Sequence, residues 1–217
     1  MNLLALGCQP LDDLLGGGLE SGVITRVFGE AGSGKTNLCI QAARECVRSG
    51  KKVAYIDTEG VSVERIRQVC VDCDYKKILR DILFFHPTSL ESQEQMIHDA
   101  IETKGVGLIV VDTITMFYRL NLENDRKSGI RSFTRQVTDL QVAARQKDLF
   151  VIIAEQVYTD KNGEVKPFTN REVEHMTKTI LRLDRKGVGE REATIIKHRS
   201  QPEGKTTCFH ITPVGLA

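Results

Sequence analysis

The sequence carries almost no net charge. Its 30 lysines and arginines face 29 aspartates and glutamates. No general polycation therefore announces a nucleic-acid partner, and any DNA contact must be a local basic patch. There is no run of 18 apolar residues, and residues 1–5 are too short for a secretory leader, so a soluble cytoplasmic protein with no membrane partner is expected. There is no internal repeat, low-complexity tract or convincing linker, which points to one α/β domain over residues 1–217. The lone CxxC, Cys70 to Cys73, has no second ligand pair at suitable spacing, which argues against zinc. Reduced thiols at a helix end are expected there, with a redox pair or local disulfide as the competing reading.

What the sequence does have is a glycine-rich loop. Gly29, Glu30, Ala31, Gly32, Ser33, Gly34, Lys35 and Thr36 fit G-x-x-x-x-G-K-[ST] at every fixed position. The glycines let successive backbone N–H groups turn inward on a polyphosphate. Lys35 supplies a cation for the β and γ phosphates, and Thr36 a hydroxyl for Mg²⁺. A chance match arises in roughly one chain in a hundred. The context makes chance less credible: residues 23–28 read as a buried strand and residues 36–48 as a helix stopped by Gly50. A helix N-terminus after a strand favours anions. Cys39 and Cys46 fall inside that helix as small core residues.

The first 155 residues alternate strand and helix. Strands are expected at 52–56, 82–85, 108–111 and 149–154, and helices at 62–71, 89–103 and 129–147. Leu11, Leu14 and Leu15 give one face to a short helix before Gly16, Gly17 and Gly18. Residues 113–127 are polar without a clear period, and residues 159–173, with Asn162-Gly163, read as a hairpin or a loop. Three strands with tight turns follow at 179–184, 192–197 and 206–211, and must pair antiparallel. The fold class is therefore α/β: a mainly parallel sheet flanked by helices, with an antiparallel C-terminal extension.

In an open parallel sheet the ligand sits at the carboxyl ends of the strands. Asp112 follows a buried strand there, as a carboxylate holding Mg²⁺ does; its bland alternative is a strand-end cap. Glu59, just past the second strand, is placed to deprotonate a water, or is a solvated turn residue. Gln156 by itself says little beyond offering an amide.

The order of these motifs resembles the RecA superfamily of recombinases, and closely the archaeal RadB group, short paralogues of the RadA recombinase. The resemblance rests on LGCQPLDDLLGGGLESGVITRVFGEAGSGKTN, VAYIDTEG, LIVVDTI, the IIAEQ strand end and LDRKGVGEREATIIKHRS, which span nearly the whole chain. It implies a RecA-like P-loop NTPase core, Glu59 as catalytic glutamate, Gln156 as γ-phosphate sensor and Arg65 over the adenine, although Val63 stands where the related motif has proline. It implies ATP with Mg²⁺, weak hydrolysis at most, DNA binding and a regulatory role in homologous recombination and repair. A RadA-type recombinase and a Holliday-junction resolvase are the partners it suggests, and it leaves a homo-oligomer open. The chain begins directly at the core, without the N-terminal DNA-binding domain or Phe-x-x-Ala motif of RadA-type recombinases, so independent strand exchange is not implied. Residues 118–127 and 159–173 occupy the places of the two DNA-facing loops. A filament-forming recombinase and a KaiC-like signalling ATPase are the alternatives.

Lys197, His198 and Arg199 close a strand. Alternation places Lys197 and Arg199 on one face. They read as a solvated edge, as a finger to a neighbouring subunit's γ phosphate, or as a DNA-phosphate contact. The last is preferred, because a near-neutral chain needs a local basic patch.

Overall fold

The computed structural model describes residues 2–160, 165–169 and 171–217. Two short strands, β1 (Leu3–Leu4) and β2 (Leu19–Glu20), flank helix α1 (Gln9–Leu15) and pair with each other. The core then runs β3 (Ile24–Gly29), α2 (Lys35–Arg48), β4 (Lys52–Asp57), α3 (Val63–Val69), α4 (Tyr75–Asp81), β5 (Ile82–Phe85), α5 (Leu90–Glu102), β6 (Val106–Asp112), α6 (Thr115–Asn124), α7 (Arg126–Lys147) and β7 (Phe150–Glu155). A hairpin of β8 (Val157–Thr159) and β9 (Val165–Pro167) leads through α8 (Arg171–Met176) to β10 (Thr179–Arg185), β11 (Glu190–Lys197), β12 (Thr206–Thr212) and β13 (Gly215–Leu216).

Among the described residues the main sheet has nine strands in the order β13-β12-β11-β10-β3-β7-β6-β4-β5. All pairs from β10 to β5 are parallel, and β11, β12 and β13 continue the edge antiparallel. Strand β10 thus serves both parts. Its register with β3 puts Leu183 beside Gly29. The central strands are apolar on both sides because helices cover both faces. Leu38, Ala42, Val53, Tyr55 and Val110 pack on the α2 side; Ile56, Ile109, Val111, Phe133, Val137 and Leu140 pack on the α5 and α7 side.

Several expectations need correction. Residues 115–124 form α6 rather than an aperiodic stretch; its first residue is preceded by Ile114, which offers no side-chain cap, so the usual start signal is missing. The helix is held by packing, with Tyr118 stacked on Phe133 at 4.4 Å between ring centroids. The first presumed DNA-facing loop is therefore helical. Two helices went unread. Helix α4 has a clear signal in Asp74, whose carboxylate accepts from Lys76 N and Lys77 N. Helix α8 is too short to carry a period. The second DNA-facing segment holds the β8–β9 hairpin, while Asn162 and Gly163 lie outside the described residues. No helix among the described residues is long and apolar enough to cross a membrane.

Candidate nucleotide site

The parallel register aligns the carboxyl ends of four adjacent strands. Asp57 of β4 lies beside Asp112 of β6, Asp112 beside Ala154 of β7, and Glu155 beside Phe28 of β3. Gly29, Gln156, Asp112 and Glu59 therefore rise from one edge. This is where the sheet topology places a ligand.

The loop that leaves β3 is shaped by its glycines at two points. A Cβ on Gly29 would lie 2.2 Å from the Leu183 carbonyl oxygen, so only glycine lets β3 and β10 close below the loop. Gly34 enters α2 at φ 107°, a left-handed backbone that side chains avoid. Ser33 N donates to Glu30 O at 3.1 Å, and Arg191 from β11 donates Nε to Gly32 O at 2.8 Å. The antiparallel extension thus braces the loop through a residue the sequence reading did not single out.

Lys35 is buried, and its ammonium donates to Gly29 O at 2.7 Å and Glu30 O at 3.0 Å. An ammonium has three donors, so one is left for a ligand. Burial lowers the Lys35 pKa, while the nearby Glu59 and Asp112 carboxylates oppose that shift. Asp112 is also buried. Its Oδ2 accepts from the Tyr55 hydroxyl at 2.9 Å, and its Oδ1 has no hydrogen-bond partner among the described residues. Burial raises its pKa, and the Thr36 and Tyr55 hydroxyls pull it back. A buried carboxylate with one orphaned oxygen, near the Thr36 hydroxyl and Lys35, fits a site for hydrated Mg²⁺. Ser33 Oγ is likewise buried without a partner among the described residues. Among the described residues no group of three or more His, Cys, Asp or Glu is arranged to hold a metal.

Glu59 is presented by a turn that Asp57 builds. The Asp57 carboxylate accepts from the backbone N–H groups of Glu59 (3.2 Å), Gly60 (2.8 Å) and Val61 (2.6 Å). Thr58 ties this turn to β6: its Oγ1 accepts from Thr113 N at 2.8 Å and its N donates to Asp112 O at 2.9 Å. Neither Asp57 nor Thr58 was among the expected site residues, although both stand in the same strand-end run. Gln156 Nε2 donates to Glu59 Oε1, which also accepts from Thr113 Oγ1 at 3.3 Å. The expected base and sensor therefore touch. Beside them is a cavity of about 430 Å³ lined by Thr58, Glu59, Met116, Arg119, Leu120 and Gln156.

Arg65 lies at the rim. Its Nε donates to Asn37 of α2 at 2.6 Å, and its guanidinium reaches Gln68 and the carbonyls of Thr212 and Pro213. It joins α2, at the residue directly after the loop, to α3 and the C-terminal strands.

The C-terminal trio differs from its expected geometry. Strand β11 ends at Lys197, so alternation does not extend to Arg199. Lys197 donates to Glu174 O at 2.8 Å, whereas Arg199 pairs with the buried Glu20 at 2.9 Å. His198 Nδ1 accepts from Ser200 N and Gln201 N and so shapes the turn. Cys70 and Cys73 are free thiols at the end of α3, and burial pushes Cys70 up to about 12.

The profile of a family described as Rad51 matches residues 1–217. A protein of Methanococcoides burtonii named DNA repair and recombination protein RadB is 47 % identical over 219 residues, covering 98 % of this chain and 96 % of that protein. One of the same name from Thermoplasma acidophilum is 40 % identical, covering 98 % and 92 %. A solved structure described as the RadB recombinase superimposes with a TM-score of 0.87 at 36 % identity, covering 99 % of this chain and 98 % of that one.

Proposed function

This chain belongs to the Rad51 family, and to its RadB branch, and on that premise we propose that it is an ATP- and DNA-binding accessory protein of homologous recombination and repair. Its fold is the RecA-like P-loop NTPase core. The observation that carries the nucleotide reading is the convergence of the residue 29–36 loop, Asp112, Glu59 and Gln156 on one edge of the parallel sheet. The loop N–H groups and Lys35 would hold the β and γ phosphates. Thr36 and Asp112 would hold Mg²⁺, whose charge neutralises phosphate oxygens. In hydrolysis a water oxygen bonds to the γ phosphorus as the bond to the β-phosphate oxygen breaks. Glu59 accepts the water's proton, and ADP leaves. The turn built by Asp57 fixes where that carboxylate stands, which is what a general base requires. With one carboxylate oxygen already accepting two hydrogen bonds, slow turnover is in keeping with the geometry.

A cluster next to the cavity supports the DNA reading. Tyr158 and Phe168 line a hollow beside α6, with Arg126 at the start of α7 on its wall and buried Tyr118 at its base, and Arg119 lies over the Phe168 ring at 4.5 Å. Aromatic faces with arginines are the chemistry that stacks unpaired bases and holds phosphates. Lys197 and Arg199 are the further DNA contact in this reading; each already has a partner within the chain. A RadA-type recombinase or a junction resolvase remains the suggested protein partner.

Equilibrium titration with a fluorescent ATP analogue tests the first half. Lys35→Ala is expected to abolish or strongly weaken binding while the fold survives, because its bonds are to the loop itself; wild-type affinity in the variant refutes the site. Titration with single-stranded DNA across a salt series tests the second, and a salt-independent or absent isotherm refutes it.

A further inference from the structure

Helix α6 grips Gln156 at two points. Thr115 Oγ1 accepts from the Gln156 backbone N at 3.2 Å, and Arg119, one turn further on the same helix face, donates Nη1 to the side-chain oxygen of Gln156. The consequence lies in the chemistry of a primary amide. Its two ends are nearly the same shape but opposite in polarity. Only the NH₂ end can donate to a phosphate or a carboxylate; the oxygen end repels both. Gln156 is half-buried at a strand end, and its amide is held from both ends. The Glu59 carboxylate accepts from Nε2, and the Arg119 guanidinium donates to Oε1. Without Arg119 the oxygen end loses its cationic partner and only Glu59 keeps Nε2 in place.

We propose that Arg119 is a positioning residue that holds the oxygen end of the Gln156 amide, opposite Glu59, and through it tunes the discrimination between ATP and ADP. The proposal rests on the nucleotide reading above. It also gives that site a line to the hairpin. The Arg119 guanidinium that holds Gln156 lies over Phe168, and Phe168 in turn contacts Tyr158, with ring centroids 4.8 Å apart. A base stacking on these rings, or a phosphate drawing on the same guanidinium, changes the hold on Gln156. Arg119 touches neither nucleotide nor water in this scheme; it acts only through the amide.

The test uses the full chain. Arg119 is exposed on its helix, so Arg119→Ala removes no core contact and is expected to fold. Affinities for ATP and ADP are measured by competition with a fluorescent analogue, and turnover with and without oligo(dT). In Arg119→Ala the ADP affinity stays at the wild-type value, because ADP has no γ phosphate to sense. The ATP preference over ADP falls roughly tenfold, the weight of one charge-assisted hydrogen bond. Arg119→Lys, which keeps a cationic donor, restores most of that preference, a rescue that a merely structural role does not produce. Phe168→Ala keeps the ATP preference and loses the response of turnover to oligo(dT). An Arg119→Ala protein with wild-type ATP preference overturns the assignment while leaving the nucleotide site standing. A wild-type protein that binds neither nucleotide overturns the site itself, and one that binds ATP and ADP equally removes Gln156 as sensor and Arg119 with it.

Discussion

Replacing Glu155 by glutamine should change how stability depends on pH. Glu155 ends β7 with its side chain fully buried, and its Oε2 lies 3.0 Å from Nε of the equally buried Arg26. The pair touches without hydrogen-bond alignment: Arg26 Nε and Nη1 and both Glu155 oxygens lack a hydrogen-bond partner among the described residues. Burial therefore outweighs the attraction. It pushes the Glu155 carboxyl from its ordinary 4.5 up to about 7, against the pull of Arg26 and with a smaller push from Glu174. Between these two values the folded chain holds a proton that the unfolded chain has lost. Stability from this group is thus complete below about pH 4.5 and is lost as pH rises through about 7. At about 1.4 kcal/mol per pKa unit the loss is about 3 kcal/mol. Glutamine mimics the protonated acid and does not titrate. Urea unfolding of wild type and Glu155→Gln from about pH 4.5 to 8 should therefore show a stability difference that shifts by about 3 kcal/mol in favour of the variant. Other raised carboxyls, Asp12, Asp112 and Asp139, cancel in the difference. Parallel stability curves would refute the assigned burial effect.

Two further outcomes are expected. Glu59→Gln should keep ATP binding and lose hydrolysis by roughly two to four orders of magnitude in single-turnover assays, as expected for removal of a general base; an unchanged measurable rate removes Glu59 from the chemistry. Replacing Lys197 and Arg199 together by alanine should flatten the salt dependence of DNA binding by roughly two counterions. Because Arg199 pairs with buried Glu20, the same variant should also lose about 1–3 kcal/mol of stability in urea melts, a cost of leaving a buried group unpaired. Wild-type DNA affinity and salt slope alongside lowered ATPase activity would instead support a finger reaching a neighbouring subunit.

Much of this protein is local, and local features were legible. The glycine spacing of residues 29–36 dictates the left-handed entry at Gly34 and the close approach at Gly29 that the loop shows. The apolar strand before Asp112 and the turn carrying Glu59 needed only their own few residues to be placed at the sheet's carboxyl edge.

Tertiary structure decided what depends on distant partners. Helix α6 has no capping residue and no clean period, so its stability comes from Tyr118 on Phe133, a contact across 15 residues that no window shows. Arg26 and Glu155 look like ordinary charged residues in sequence and become a buried pair only when β3 and β7 lie side by side. Lys197 and Arg199 read as one basic face, yet the strand ends between them and each finds its own partner on a different element. Gln156 was an amide of no particular direction until the fold placed Glu59 on its nitrogen and Arg119 on its oxygen. The physical reason is the same each time. Periodicity and turn chemistry act over a few residues and are written in the chain, whereas burial and the orientation of a polar group are set by whatever the fold brings against it.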